Sequence, residues 1–145
     1  DYSDKRGSHV TVAVQEVPQT EVSRYGIYKL APGSKDRVLD AVEKPEKASA
    51  PSRLAQFGRF VLNHQIIDIL QEKYENNNLG KDEELWLIDA IIEYAKKNPV
   101  YAAKIKGEWM TTGDPLRYMK TQVRYALIRK DIGKDFADFL KSLKS

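Results

Sequence analysis

The sequence predicts an α/β protein in which a mainly β first part, residues 1–62, is followed by a mainly helical second part, residues 63–145. Two patterns lead to this prediction. Before Leu62, apolar runs of strand length are separated by proline and glycine, whereas after Asn63 apolar residues recur at helical spacing. Because no helix separates the strands of the first part, we expect them to form the antiparallel portion of a mixed sheet that the helices follow.

Four segments of the first part have the composition of strands: His9–Val17, Tyr25–Leu30, Arg37–Val42 and Leu54–Leu62. Pro18 closes the first segment, and Pro32-Gly33 separates the second from the third, which predicts a hairpin. Two prolines between Lys44 and Pro51 predict a loop. Gly58 lies inside the fourth strand, where a glycine often marks a close approach of another group to the backbone.

The second part begins with Asn63, a good helix cap, and apolar residues then recur every three or four positions up to the Asn76-Asn77-Asn78 run. Asp82, Glu83 and Glu84 suit the positive end of a second helix. Its predicted buried stripe comprises Leu85, Ile88, Ile91, Ile92 and Ala95. Pro99 ends the helical pattern before a short predicted strand, Val100–Ile105.

Two further helices are predicted near the C-terminus. Asp114-Pro115 is a strong helix start, because the aspartate caps the helix and the proline takes a position whose N–H would have no partner. The apolar face of this helix comprises Leu116, Met119, Val123 and Leu127. After Gly133, a last short helix is expected to turn its apolar residues inward, namely Phe136, Phe139, Leu140 and Leu143.

Composition excludes several classes of protein. The chain of 145 residues is 41% hydrophobic, enough for one core, and its 24 basic and 21 acidic residues are interspersed, so nucleic acid is not an expected partner. The chain has no cysteine, which excludes disulfides and thiolate metal sites. No apolar run approaches the roughly 20 residues of a membrane helix. With nothing like a signal peptide at the start, we expect a cytoplasmic protein.

The most informative motif is Glu43-Lys44-Pro45, which places an acid and a base at the end of the third predicted strand, before the loop. A carboxylate accepts hydrogen bonds from hydroxyl groups and an ammonium group binds phosphate, so together they suit a polar phosphorylated ligand. Taken alone, the motif would equally fit an exposed ion pair before a turn.

This motif and the segment that follows it, from Ala50 to Phe60, resemble the sugar-binding segment of bacterial UTP–glucose-1-phosphate uridylyltransferases. Further similar motifs occur in the same order: Ser23-Arg24-Tyr25-Gly26, Asp89-Ala90-Ile91 and Gly113-Asp114-Pro115-Leu116. The resemblance runs from about Val12 to the C-terminus and implies the C-terminal half of a Rossmann-like nucleotidyltransferase fold. In that family the N-terminal half supplies the Gly-rich loop that binds UTP and an aspartate that holds magnesium, so we expect this nucleotide-binding part to be absent from the sequence.

The resemblance also assigns roles to four residues. The glycine matching Gly26 brings its backbone close to the glucose, and the glycine matching Gly58 lines the same pocket. Glu43 matches a residue that accepts hydrogen bonds from sugar hydroxyls, and Lys44 matches the catalytic lysine that meets the sugar phosphate. Arg59 remains undecided between packing and solvent exposure. The implied partners are UTP, glucose 1-phosphate and UDP-glucose, with Mg²⁺ as cofactor of the complete enzyme, and relatives assemble into homo-oligomers through C-terminal helices.

Several positions depart from the family. Thr111 stands where many relatives have a magnesium-binding aspartate, and a neutral hydroxyl is a much poorer ligand for a hard dication. Asp114 is interpreted as a helix cap, so no metal ligand is predicted in this chain. Arg53, Trp86 and Ile88 replace asparagine, glutamine and threonine of the family, which leaves the identity of the substrate open.

Two alternatives therefore remain. One is a related sugar-1-phosphate nucleotidyltransferase that uses dTTP or GTP, and the other is a non-catalytic regulatory or assembly paralogue, which Thr111 would favour. In either case, the sequence holds no Gly-rich phosphate loop, and we predict that the isolated chain is inactive. His9 and His64 have no further ligand at metal-binding spacing, and Trp86 and Trp109 are interpreted as packing residues.

Overall fold

A computed structural model describes residues 10–80, 83–107 and 109–143. The chain forms two compact units, residues 1–106 and 107–145. The first unit contains the strands β1 (Val10–Glu16), β2 (Gly26–Leu30), β3 (Val38–Glu43), β4 (Leu54–Val61) and β5 (Val100–Lys104), and the helices α1 (His64–Glu75) and α2 (Leu87–Ala95). The second unit contains the helices α3 (Pro115–Ile128) and α4 (Gly133–Ser142).

The five strands form one mixed sheet in the order β3-β2-β4-β1-β5. Strand β2 pairs antiparallel with both β3 and β4, and β4 pairs antiparallel with β1, whereas β5 joins β1 in parallel. The predicted hairpin is therefore confirmed as β2–β3, and the antiparallel portion of a mixed sheet is confirmed as β1 to β4. The parallel strand β5 follows α1 and α2, which provide the crossover that a parallel pairing requires.

The core lies between one face of the sheet and the helices α1 and α2. Alternate residues of β1 point to this face, and Val10, Val12 and Val14 are all fully buried there. They pack in one cluster with Ile66 of α1 and Ile91 of α2. Burial of each such side chain contributes about 1.5–3 kcal/mol, so this cluster holds the strands that carry the predicted site in fixed register.

The predicted start of the second helix is wrong. Helix α2 begins at Leu87, after Trp86 in extended conformation, and not at the acidic run. Glu83 has φ of +58°, a left-handed conformation that cannot belong to a right-handed helix. Asp82 lies outside the described residues, as does His9 at the start of the first predicted strand. A short 3₁₀ helix, Gln19–Arg24, connects β1 to β2 and was not predicted.

In the second unit, the predicted cap of α3 is confirmed, because the Asp114 Oδ1 atom accepts a hydrogen bond of 2.9 Å from the Arg117 N–H. The expected inward orientation of the last helix holds for Phe136 and Leu140, which are half-buried, and is wrong for Phe139 and Leu143. Phe139 is 54% exposed and Leu143 is 65% exposed, and Leu116 and Met119 of α3 are also exposed. Two packed helices can cover only one stripe of each other, so the remaining apolar residues of this unit face outward.

The helices of the described residues include none that is both long enough and apolar enough to span a bilayer.

Candidate functional site

The predicted acid and base lie at the end of an edge strand. Glu43 is the last residue of β3, and the strand ends there because Lys44 has φ of +45°, which turns the chain out of the sheet. The Lys44 N–H still donates a 3.1 Å hydrogen bond to the Tyr25 carbonyl, at the open end of the β2–β3 hairpin. Glu43 is partly buried, whereas Lys44 is exposed and Pro45 behind it is buried. The turn thus presents one shielded carboxylate and one solvated ammonium group.

Glu43 belongs to a row of residues that crosses three strands. It pairs with Gly26 of β2, and Ile27 pairs with Ala55 of β4, which places Gln56 beside Gly26 on the other side. Residues directly opposite each other in a sheet point to the same face. Strands β3 and β4 lie two strand spacings apart, roughly 9–10 Å, because β2 runs between them. Side chains from β3 and β4 can therefore meet only by reaching over β2.

Gly26 provides the space in which they meet. A Cβ atom built on Gly26 would lie 2.7 Å from Glu43 Oε2, 2.7 Å from Gln56 Nε2 and 2.7 Å from Ile88 Cδ1. All three distances are too short for any side chain at this position. With glycine there, Gln56 Nε2 donates a 3.4 Å hydrogen bond to Glu43 Oε2. The side chains of Glu43, Gln56 and Ile88 thus cover the Gly26 α-carbon on the helical face of the sheet.

Tyr28 extends this contact into the core. Its side chain is fully buried, and its hydroxyl group donates a 3.0 Å hydrogen bond to Gln56 Oε1. The Tyr28 carbonyl oxygen accepts a hydrogen bond from Ser52 Oγ, which ties the end of the loop to β2. A continuous chain of hydrogen bonds therefore runs from Tyr28 through the Gln56 amide to the Glu43 carboxylate.

The surroundings of Glu43 favour its neutral form. Burial raises the pKa of the Glu43 carboxyl group, and the Lys44 ammonium group opposes this rise. The negative charges of Asp89 and Glu84 add to the rise of the Glu43 pKa. The pKa of Tyr28 is raised as well, first by burial and then by the Glu43 charge. A ligand with hydroxyl donors would satisfy the carboxylate in this shielded position, while Lys44 would attract an anionic group.

Gly58 lies in an irregular part of β4. Gln56 pairs with Val14 and Phe60 with Val12, so three residues of β4 stand opposite a single residue of β1. Gly58, in the middle of this bulge, has φ of +77° and is exposed. Apart from its chain neighbours, no described atom lies within 4 Å of a Cβ built on it. The predicted strand glycine is thus required for its backbone conformation.

The structure brings Gly26 and Glu43 into direct pairing, with Lys44 following Glu43 and Gly58 two residues beyond Gln56. Gln56 and Tyr28 were missed by the sequence analysis. One signal was available, because Gln56 is a polar residue between Leu54–Ala55 and Phe57 in an otherwise apolar run. The hydroxyl of a buried tyrosine usually needs a partner, which is a second, weaker signal.

The oxygen donors at Thr111 and Asp114 do not fit a magnesium site. Thr111 Oγ1 is neutral and accepts a hydrogen bond from the Gly113 N–H, and Asp114 caps α3 and pairs with Arg117. No group of three or more His, Asp or Glu side chains in metal-binding arrangement occurs within residues 10–80, 83–107 and 109–143. Hard dications require several oxygen ligands, with carboxylates among them, which these residues do not assemble.

A separate pocket of about 260 Å³ lies between α1 and α2. It is lined by Ile69, Glu72, Lys73, Asn76, Asn78 and Glu93. None of these residues belongs to the strands that carry Glu43 and Gly26, so this pocket is separate from the candidate site.

Comparisons with known proteins identify the family and the fold. A family model described as nucleotidyl transferase matches residues 1–126. The chain is 37% identical over 137 residues to a UTP–glucose-1-phosphate uridylyltransferase from Staphylococcus epidermidis, an alignment that covers 93% of this chain and 46% of the relative. The chain therefore spans about half the length of the curated relatives it matches.

Two solved structures are similar as well. A UDP-glucose pyrophosphorylase complexed with UDP-glucose superposes with a TM-score of 0.79 at 32% identity, covering 88% of this chain and 48% of that one. A UTP-bound UGPase from Acinetobacter baumannii gives a TM-score of 0.79 at 28% identity, covering 98% of this chain and 48% of that one. The mixed sheet with its helices thus has the α/β fold of UDP-glucose pyrophosphorylases, and the chain belongs to the nucleotidyl transferase family.

Proposed function

We propose that this chain is the sugar-phosphate-binding part of a UTP–glucose-1-phosphate uridylyltransferase. The observation that carries the proposal is the turn at the end of β3, where Glu43 pairs with Gly26 and Lys44 follows at a positive φ. The similarity to uridylyltransferases and to a structure complexed with UDP-glucose supports the same assignment.

The proposed reaction is a nucleotidyl transfer. A phosphate oxygen of glucose 1-phosphate attacks the α-phosphorus of UTP, and the bond from that phosphorus to the β-phosphate oxygen breaks. The products are UDP-glucose and pyrophosphate. Such chemistry depends on alignment and on compensation of charge, since the reacting phosphate groups repel each other.

The residues of this chain act on the sugar phosphate. The Glu43 carboxylate accepts hydrogen bonds from hexosyl hydroxyl groups and so fixes the orientation of the sugar. The exposed Lys44 ammonium group lies where the chain leaves the sheet and offsets the charge of the sugar phosphate. Gly26 leaves the space in which the Glu43 and Gln56 side chains meet, and the exposed Gly58 lets the backbone come close to the ligand. Thr111 supplies no charge for a metal ion, and the sequence holds no Gly-rich phosphate loop, so we propose that the isolated chain binds the sugar phosphate without turnover.

The test combines a binding and a turnover measurement. Glucose 1-phosphate is titrated into the isolated chain by NMR, and turnover is assayed with UTP, glucose 1-phosphate and Mg²⁺. We expect saturable binding that Lys44→Ala and Glu43→Gln each weaken at least about tenfold, equivalent to about 1.4 kcal/mol. Turnover well above background would contradict the proposed inactivity of the isolated chain.

A matched control lies three residues further along the same loop. Glu46 and Lys47 are also an adjacent acid and base, and both are exposed. Glu46→Gln and Lys47→Ala change the net charge in the same way as the site variants. If these control variants weaken binding as much as Glu43→Gln and Lys44→Ala do, the ligand responds to loop charge in general, and the proposed roles are wrong. Titrating UDP-glucose, dTDP-glucose and GDP-mannose in the same way compares the sugar nucleotide of uridylyltransferases with those of related enzymes.

We also propose that α3 and α4 associate with a second copy of this chain. These two helices expose several large apolar residues, namely Leu116, Met119, Ile128, Phe139 and Leu143. We expect the wild-type chain to be a dimer or larger by light scattering, and Leu116→Lys with Phe139→Lys to be monomeric. A wild-type chain that stays monomeric at high concentration would contradict this assembly.

A further inference from the structure

Gln56 is a polar side chain on the core-facing side of the sheet. It pairs with the fully buried Val14, and its neighbour in the row is Gly26. An amide side chain at such a position destabilises the fold unless both its oxygen and its NH₂ group have hydrogen-bond partners. Gln56 has both, because Oε1 accepts from the Tyr28 hydroxyl group and Nε2 donates to Glu43 Oε2.

The two partners also fix the direction of the amide. A carboxylate only accepts hydrogen bonds, so the NH₂ end of Gln56 must point to Glu43, and the oxygen then faces the tyrosine O–H donor. Tyr28 is fully buried and its carbonyl is held by Ser52, so this anchor is part of the core. At 3.4 Å the contact to Glu43 is a long hydrogen bond, and the two side-chain ends also pack together in the space above Gly26.

We propose that Gln56 is a positioning residue for Glu43, which directs the carboxylate toward the hydroxyl groups of the hexosyl ligand. Gln56 holds the Oε2 atom above Gly26, and this sets the direction in which the carboxylate accepts hydrogen bonds from the sugar. The inference rests on the proposed function, since it takes glucose 1-phosphate as the ligand of Glu43. It adds a side chain from β4, anchored in the core, to a site whose other side chains, Glu43 and Lys44, come from β3 and the turn after it.

Other charged groups around Glu43 come from different elements. Lys44 follows it on the same turn, Asp89 belongs to α2, and Glu84 lies before α2. The Gln56 amide is the neutral donor of this group, and it favours the ionised carboxylate against the effect of the two acidic neighbours. Removing the amide should therefore change the protonation of Glu43 in a defined direction.

The first experiment follows the Glu43 side-chain carboxyl carbon by NMR as a function of pH, without ligand. Gln56→Met keeps the side-chain length and removes the amide, and we expect the measured pKa of Glu43 to rise. Tyr28→Phe removes only the anchor and should raise this pKa by a smaller amount. Gln71→Met is the matched control, because Gln71 also donates to a glutamate, Glu75, but on the exposed side of α1. It should leave the Glu43 titration unchanged.

The second experiment titrates the same variants with glucose 1-phosphate and with inorganic phosphate. We expect Gln56→Met to weaken glucose 1-phosphate binding about three- to tenfold and to leave phosphate binding unchanged, because the hydroxyl contacts alone lose their alignment. Gln71→Met should bind both ligands like the wild type. A merely structural role of Gln56 would lower the unfolding temperature without separating the two ligands.

The outcomes separate the inference from the proposed function. If the wild type binds glucose 1-phosphate and Gln56→Met binds it equally well with an unchanged Glu43 pKa, the inference is overturned and the proposed function stands. If the wild type does not bind glucose 1-phosphate at all, the proposed function is overturned and the inference falls with it.

Discussion

Gly26 and Gly58 lie close to the same end of the sheet, yet they are glycines for opposite reasons. Around Gly26 there is no room for a side chain, since Glu43, Gln56 and Ile88 fill the space where its Cβ would be. Around Gly58 there is room, but its φ of +77° strains any other residue. The first region is a packed contact between side chains, and the second is an exposed bulge in the backbone. Substitutions at the two positions should therefore fail in different ways.

The largest effect is expected for Gly26→Ala. The new methyl group would collide with three side-chain ends, and Ile88 is a core residue that has little freedom to move. Overpacking of this kind destabilises a fold by about 1–3 kcal/mol. We also expect Glu43 to separate from Gln56, so that glucose 1-phosphate binding falls below detection. Chemical denaturation and NMR titration measure the two effects.

Gly113→Ala serves as the control for Gly26→Ala. A Cβ at Gly113 meets Thr111 Oγ1 at an ordinary contact distance of 3.5 Å. Its effect on the free energy of unfolding should stay within about 0.5 kcal/mol. A Gly26→Ala protein as stable as Gly113→Ala, with unchanged binding, would show that the space above Gly26 is not restricted.

Gly58→Ala should cost less and act only on the backbone. The left-handed conformation destabilises an alanine by about 1–2 kcal/mol. Alanine also lowers the entropy of the unfolded chain, which offsets part of this strain, so we expect the free energy of unfolding to fall by about 1 kcal/mol. Gly33→Ala has the same strain, with φ of +73° in the β2–β3 connection, and should lose a similar amount. The pKa of Glu43 should be unchanged in both variants. A Glu43 titration altered by Gly58→Ala but not by Gly33→Ala would remove the distinction between the two regions.

Lys44 has both a strained backbone and a side chain with a proposed role in binding, and two variants separate these effects. Its φ of +45° strains the backbone, and its side chain supplies the cation of the proposed site. Both Lys44→Ala and Lys44→Gly remove the cation, but only glycine relieves the strain, so Lys44→Gly should be more stable than Lys44→Ala by about 0.5–1 kcal/mol. Both should lose the same amount of glucose 1-phosphate binding. Unequal binding losses would indicate that the backbone at residue 44 also contacts the ligand.

The smallest effect is expected for the pH dependence of the unfolding temperature in Glu43→Gln. Burial raises the pKa of Glu43 above its usual value in the folded state, so the folded protein holds this proton more tightly than the unfolded chain. The contribution of Glu43 to stability is therefore full at low pH and is lost as the pH rises through the raised pKa. Glu43→Gln removes this loss, and we expect a slightly higher unfolding temperature than the wild type at neutral pH.

The advantage of Glu43→Gln should shrink as the pH approaches the usual carboxyl range. Unfolding scans from about pH 4 to pH 8 would follow it. Glu46→Gln is the control, because Glu46 is exposed in the adjoining loop and should show no comparable trend. A constant difference between Glu43→Gln and the wild type at every pH would mean that ionisation of Glu43 is not the cause.

Much of the fold was predictable because the strands are short apolar runs separated by strong turn residues. The predicted bounds of β2 and β4 differ from the observed ones by a single residue at one end, and the Asp114 cap was correct. The predicted start of α2 was wrong because an acidic run is typical of a helix N-terminus but does not fix the backbone. The left-handed conformation of Glu83 is not visible in the sequence. The prediction for α4 was wrong at Phe139 and Leu143, because an apolar stripe does not specify how much of it a neighbouring helix covers.

The site was predictable in part. A motif of adjacent residues, Glu43-Lys44-Pro45, is visible in the sequence and lies at a strand end as expected. The pairing of Glu43 with Gly26 depends on the register of the hairpin, and the meeting with Gln56 depends on a third strand. Such contacts between separate strands follow from register, which local sequence patterns do not fix.

Mapping the binding of glucose 1-phosphate on the backbone amides by NMR tests the central claim most directly. We predict that the largest shifts occur at Gly26, Glu43, Lys44 and Gln56, and that they saturate together. The α1–α2 pocket around Glu72 and Lys73 serves as the internal comparison, because it is a concave surface that shares no residue with the proposed site. Shifts concentrated in that pocket, with none at the end of β3, would contradict a sugar-phosphate site formed by Glu43 and Lys44.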